Sequence, residues 1–163
     1  MQLNRLQHIL RFLILSQQVD GFLPEMKTET ILKMLDKIAE SVEPVSQARL
    51  AAAIVYKNDV ISIGINQKKS HPFQRRFSKH EEAIFLHAEV DAIKNALRHI
   101  SIDQLAKSKL YVTRVRYDTS EKHIHTSNLR RGLAKPCQGC MKAIATFNIK
   151  HVCFSTDEGH NFL

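Results

Sequence analysis

Residues 87–116 read HAEVDAIKNALRHISIDQLAKSKLYVTRVR, and this stretch decides the fold. Its first half sets Val90, Ile93, Leu97 and Ile100 at helical spacing, which predicts a helix beginning near His87 with those side chains buried. Its end, Lys109 to Arg116, is apolar and partly β-branched and predicts a strand. Upstream, Leu50–Tyr56 and Val60–Ile65 read as two strands, the second strictly alternating. Asn58-Asp59 between them is a short turn, so the pair is an antiparallel hairpin. Downstream, Pro136 opens a helix to about Phe147, and Ile149–Ser155 is a fourth strand. The β-α-β-α-β order implies an α/β fold, a three-layer α-β-α sandwich with right-handed crossovers.

Outside this unit, Leu3, Leu6, Leu10 and Leu13 make residues 2–18 an amphipathic helix, read as packing on the core or on a second subunit. Gly21 and Pro24 punctuate the chain after it. Residues 1–25 are therefore an N-terminal extension and residues 26–163 the main domain. A helix from about Thr28 to Val42 opens that domain, with Ile31, Leu35, Ile38 and Val42 on one face and Pro44 at its end. The polar, basic segment 66–86 and the charged, histidine-bearing segment 117–135 read as loops.

A length of 163 residues is enough for one domain with a core of its own. The net charge of +8 favours anionic partners such as nucleotides or nucleic acid. Three cysteines, an odd and low number, argue against a disulfide framework and for a reducing, cytoplasmic setting in which thiols can bind metal. The apolar run Ile9–Leu15 is broken by Arg11 and lacks a small-residue cleavage site, so it is not read as a leader. No run approaches the length of a membrane span, and no membrane partner is expected.

The chemistry sits in two short motifs, His87-Ala88-Glu89 and Pro136-Cys137-Gln138-Gly139-Cys140, each at a predicted helix start. Cys137 and Cys140 are three apart, which puts both sulfurs on one helix face. A helix N-terminus lowers thiol pKa, so both can bind as thiolates. His87 adds a third ligand, and three protein ligands leave zinc the open position of a catalytic site. Glu89 stands in the first turn beyond His87 and is placed as a proton carrier for a zinc-activated water. A lone C-x-x-C could be a redox pair or half of a structural zinc site. The absence of a second C-x-x-C argues against a four-cysteine site.

These residues resemble the zinc deaminase superfamily, which includes cytidine, deoxycytidylate, tRNA-adenosine and polynucleotide cytosine deaminases and shares an H-x-E and P-C-x-x-C signature. The resemblance covers residues 48–156. It implies a mixed five-stranded central sheet, of which four strands are clear in the sequence. It also implies Zn²⁺ on His87, Cys137 and Cys140, and Glu89 as the catalytic acid–base. A histidine first ligand and His-Ala-Glu-Val-Asp-Ala-Ile look most like the deoxycytidylate branch, although Asp91 stands where asparagine is usual.

By the same resemblance Asn66 matches a sugar-binding asparagine; the other reading is a residue that ends the strand. The Ala88 backbone N–H would contact the base carbonyl. Pro136 and His71 are further expected pocket residues. Arg75 and Arg131, with Arg76 and Arg130, are candidate phosphate contacts, and each could equally be a solvated basic side chain. His123 and His125 read as exposed loop residues and Cys153 as a buried strand residue.

The expected reaction is hydrolytic deamination of cytosine in a free nucleoside or nucleotide such as dCMP, by a homo-oligomer. The alternative substrate is a base within single-stranded DNA or RNA. A zinc-stabilised nucleic-acid-binding module is the non-catalytic reading, and Glu89 argues against it, since a structural site needs no proton carrier.

Overall fold

The computed structural model describes residues 28–45, 48–78, 85–117 and 129–163. The segment 2–18 and His123 and His125 lie outside them. The hairpin is present as β1 (Arg49–Tyr56) and β2 (Asp59–Ile65), paired antiparallel. Its turn falls one residue earlier than the sequence implied. Lys57 and Asn58 take φ values of 49° and 70°, the left-handed pair that matches strand twist in a two-residue hairpin.

β1 also pairs antiparallel with β5 (Lys109–Tyr117), and β5 pairs parallel with β7 (His151–Ser155). The sheet is therefore mixed. Two strands join it that the sequence did not reveal. β6 (Leu129–Gly132) lies within the segment read as a loop, and β8 (His160–Phe162) follows β7. The sheet has six strands in the order β2-β1-β5-β7-β8, with β6 beside β5. β7 and β6 share one side of β5 in succession, β7 along Lys109–Val112 and β6 along Arg114–Tyr117. Ser155 stitches them together. Its hydroxyl donates to the Gly132 carbonyl (2.7 Å) and accepts from the Arg114 N–H (3.1 Å).

Alternation along the strands divides the core in two. Ala51, Ala53, Val55, Tyr111, Val115 and Cys153 pack against α1 (Thr28–Glu40) through its Ile31, Leu32, Leu35, Ile38 and Ala39. Ala52, Ile54, Leu110, Val112, Val152 and Phe154 pack on the other face. That face is covered by α3 (Ala88–Ala96) and α5 (Gln138–Thr146). The result is the expected three-layer sandwich. The helix that starts after His87 stops at Ala96, earlier than its apolar pattern implied. Leu97 and Ile100 still pack on the core, and a separate short helix, α4 (Ile102–Ala106), follows under a Ser101–Gln104 capping box.

In the segment between β2 and α3, β3 (Gln67–Ser70) pairs with β4 (Phe85–Leu86), and α2 (Pro72–Arg75) follows β3. Among the described residues no helix is long and apolar enough to cross a membrane.

The tightest contact in the fold is between β2 and α3. A Cβ on Gly64 would stand 2.2 Å from both the Ala88 carbonyl oxygen and the Ala92 nitrogen. Both are backbone atoms, so only glycine lets the helix approach this closely. Neighbouring bonds hold it there. The Ser62 hydroxyl donates to the Ala92 carbonyl (2.7 Å), and the Asn95 amide donates to the Ile63 carbonyl (2.9 Å). Asp91 accepts from the Ile65 N–H (3.2 Å) and the Gln67 amide (3.3 Å) while pairing with Lys94 (2.6 Å).

Gly64→Ala should therefore destabilise the protein by about 1–3 kcal/mol or more, as overpacking does. For a chain of this size that lowers the thermal midpoint by roughly 2–4 °C per kcal/mol. Gly159→Ala is the control, because a Cβ there meets nothing within 4 Å. Calorimetry that finds the two variants equally stable would contradict the assigned role of Gly64.

Candidate metal centre

His87 and Cys137 are both helix N-cap residues with extended backbone, at φ −84°, ψ 151° and φ −72°, ψ 171°. Neither side chain caps its own helix, which leaves imidazole and thiol available for another partner. Cys140 lies one turn into α5 and is fully buried. The three ligand atoms converge. His87 Nδ1 is 3.5 Å from Cys137 Sγ and 3.3 Å from Cys140 Sγ, and the two sulfurs are 3.5 Å apart. Zinc bonds of about 2.3 Å to sulfur and about 2.0–2.1 Å to nitrogen give tetrahedral edges of roughly 3.8 Å and 3.6 Å. The observed triangle is within a few tenths of an ångström of that shape. Two thiols and an imidazole are a donor set suited to zinc, and these three residues could hold the ion.

The cluster sits at two helix N-termini, which favour negative charge, and contacts among its members set the direction of each shift. Hydrogen bonds from Cys140 and His87 hold the Cys137 thiol down to about 3, so it is a thiolate at neutral pH. That thiolate in turn raises the pKa of its neighbours, His87 through their hydrogen bond and Cys140 through the same contact aided by burial. Glu89 is 3% exposed, and desolvation raises its carboxyl above the usual carboxylate range. A buried carboxyl beside His87 and Cys140, with its pKa raised by desolvation, is a candidate for proton exchange.

Part of the segment 66–86 that the sequence analysis reads as a loop holds the two ligand-bearing helices in place. The side chain of Gln74, on α2 and 2% exposed, accepts from the backbone N–H of His87 (3.0 Å). Three residues on, the Phe77 carbonyl lies against α5, 3.0 Å from where a Cβ on Gly139 would be. The segment from Pro72 to Phe77 thus touches the start of both helices. Phe73, Phe77 and Phe147 pack edge-to-face and stacked beneath it.

The remaining expected residues divide. Ala88 is fully buried as the first residue of α3, and Pro136 is buried immediately before Cys137. Asn66 is buried, but its amide is committed to the sheet. Its Oδ1 accepts from the Leu50 N–H (2.7 Å) and its Nδ2 donates to the Ala48 carbonyl (2.9 Å), as the strand-ending reading describes. His71 caps α2, with Nδ1 accepting from the Phe73 N–H (3.1 Å). Arg75 is exposed on α2.

Arg131 is a correction. It stands opposite Val115, a residue of the α1 face, and its guanidinium pairs with Glu29 (3.0 Å) and Asp36. It anchors α1 across the sheet from the metal cluster and does not serve as a phosphate contact. Strand parity decides this, and β6 was not legible as a strand. A cleft lined by Ile31, Tyr56, Lys57, Lys107 and Tyr111 holds none of the cluster residues.

Residues 25–156 match the family model described as the cytidine and deoxycytidylate deaminase zinc-binding region. No curated protein matches the chain. Among solved structures, the chain is similar to the apo form of a dCMP deaminase from the cyanophage S-TIM5. The two share 22% identity with a TM-score of 0.48, over 79% of this chain and 84% of that one. With four-fifths of its length matched to the family model and a His-Cys-Cys triangle at the converging starts of α3 and α5, the chain belongs to the zinc-binding cytidine and deoxycytidylate deaminase family.

Proposed function

We propose that the protein is a hydrolase that deaminates cytosine in a free nucleoside or nucleotide, with zinc held by His87, Cys137 and Cys140 and with Glu89 carrying the protons. One observation supports this above the others: the buried Glu89 carboxyl lies against two of the three residues of a zinc-shaped triangle. A redox pair would not need the imidazole, and a structural metal site would not need the carboxyl.

His87, Cys137 and Cys140 would hold the zinc, which would supply the Lewis acidity that makes water a nucleophile near neutral pH. Glu89 takes a proton from the attacking water and delivers it to the ring nitrogen. The water oxygen bonds to C4, and the amine leaves as ammonia after a second proton passes through the same carboxyl. Desolvation raises the Glu89 carboxyl above the usual carboxylate range, the direction that favours a proton held there between transfers. The Ala88 N–H has no acceptor within its own helix, since it is the first residue of α3, and is available to the base carbonyl. Gln74 fixes the His87 backbone, and Gly64 fixes the depth at which the first turn of α3 sits.

Two outcomes test the assignment. Metal analysis should find about one zinc per chain, lost on Cys137→Ala. Full zinc content after removal of two of the three ligands would overturn the site. Glu89→Gln should keep the zinc and the thermal midpoint and lose at least about 10²–10⁴-fold in turnover of dCMP or deoxycytidine. Near-normal turnover in that variant would overturn the mechanism. Robust deamination of an oligonucleotide with free nucleosides and nucleotides inert would replace the small-molecule reading by the polynucleotide one.

A further inference from the structure

The start of α3 has no complete cap of its own. In a capping box, a Glu or Gln at the third helical position accepts from the N-cap N–H. α4 makes this bond within itself, where Gln104 Oε1 accepts from the Ser101 N–H (2.9 Å). In α3 the third helical position is Val90, which has no acceptor to offer. The His87 side chain does not cap the helix either, because its imidazole is turned to the two sulfurs. Gln74 does from α2 what Gln104 does within α4. Its Oε1 accepts from the His87 N–H (3.0 Å), thirteen residues later in the chain.

α2 is a single turn, and one turn of helix is not stable by itself. Its start depends on His71. Pro72, at the first helical position, has no N–H to satisfy, and the next N–H, of Phe73, is accepted by His71 Nδ1 (3.1 Å). At the other end the Gln74 carbonyl accepts from the Phe77 N–H (3.0 Å), the Ser78 N–H (3.2 Å) and the Ser78 hydroxyl (3.1 Å). Gln74 is thereby fixed on both sides and buried. A chain of contacts runs from His71 through α2 and Gln74 to the backbone of His87.

The identity of the ligand atom makes this chain matter. Nδ1 of His87 faces the sulfurs. It is the ring nitrogen nearer the backbone, so a shift of that backbone reaches it with only two side-chain torsions to compensate. His71 can play its part only while neutral, since a protonated Nδ1 donates and cannot accept from Phe73. Burial lowers the His71 pKa, and Lys94 on α3, Lys69 on β3 and Arg98 beyond α3 act in the same direction against Asp91. The imidazole is thus an acceptor at neutral pH.

We infer that His71 and Gln74 are positioning residues for the metal, which together set the place of His87 Nδ1 and with it the zinc affinity of the site. This rests on the metal reading above and extends it to residues that touch neither metal nor substrate.

The test measures metal binding. Full-length protein is titrated with zinc against a chelator, and with cobalt(II), whose absorption reports thiolate ligation and geometry. Gln74→Met and His71→Ala should each weaken zinc binding by about 10–100-fold, as loss of a ligand-orienting bond does, and should change the cobalt spectrum. His71→Asn keeps a neutral cap acceptor and should restore both. Ser101→Ala removes the matching cap of α4; it should lower the thermal midpoint and leave zinc affinity and the cobalt spectrum unchanged. Comparison of His71→Ala with His71→Asn, at a half-buried position, decides the matter even where Gln74→Met folds poorly. Wild-type zinc affinity in His71→Ala, no recovery in His71→Asn, or an equal loss in Ser101→Ala would overturn the inference. Amide hydrogen exchange reads the same chain in metal-free protein. The His87 N–H should exchange faster in Gln74→Met and His71→Ala than in the wild type and His71→Asn, and equal rates would also overturn the inference. If the wild-type protein binds neither zinc nor cobalt, the metal reading fails by itself, and exchange at His87 still decides the chain from His71.

Discussion

The site depends on how closely a helix can approach a strand. Gly64 lets the first turn of α3 rest on the β2 backbone, where any side chain would stand 2.2 Å from backbone atoms. That approach sets the depth of Ala88, and therefore of His87 before it and Glu89 after it. A second small residue, Gly139, meets the Phe77 backbone at the first turn of α5, and so sets Cys137 and Cys140. Two helices seated by backbone contact place three ligand atoms within 3.5 Å of one another. Side chains alone, with several rotamers each, would not hold that triangle without backbone this well fixed.

The same arrangement explains the charge balance. Hydrogen bonds from Cys140 and His87 lower the Cys137 thiol pKa, and the helix N-termini at the cluster favour thiolate in the same direction. Burial pushes the Glu89 carboxyl the other way. The centre thus combines a thiol whose pKa is lowered with a carboxyl whose pKa is raised. Across the sheet, an unrelated polar network of Arg131, Glu29, Asp36 and Thr113 ties α1 to β5 and β6. The strands separate the two sets by pointing alternate side chains to opposite faces, so one amino-acid type, arginine, anchors a helix at position 131 and lies on the metal face at 114.

Much of this was legible in the chain. The 3.6-residue pattern of Val90 and Ile93 and the strict alternation of β2 come from burial on one face, a local signal. His87, Cys137 and Cys140 were readable as a ligand set because metal binding favours those residue types at such spacing, and the fold brings them together; Glu89 was read as a proton carrier from its place two residues beyond His87. What escaped reading was non-local. Leu129–Gly132 and His160–Phe162 are short and polar, and they are strands only because β5 and β7 offer open edges. Gln74 has no motif, since its role is a single bond to the backbone of His87 thirteen residues later. Asn66 and Arg131 were assigned by residue type, and the partners that determine their work are distant in sequence, Ala48 and Leu50 for Asn66 and Glu29 and Asp36 on α1 for Arg131.

The most direct test of the account is X-ray absorption at the zinc edge of the purified protein. Two sulfur scatterers at about 2.3 Å with two lighter nitrogen or oxygen scatterers at about 2.0 Å are predicted, for two cysteines, one histidine and an open position taken by solvent. Four sulfurs, or a shell with no sulfur, would contradict it.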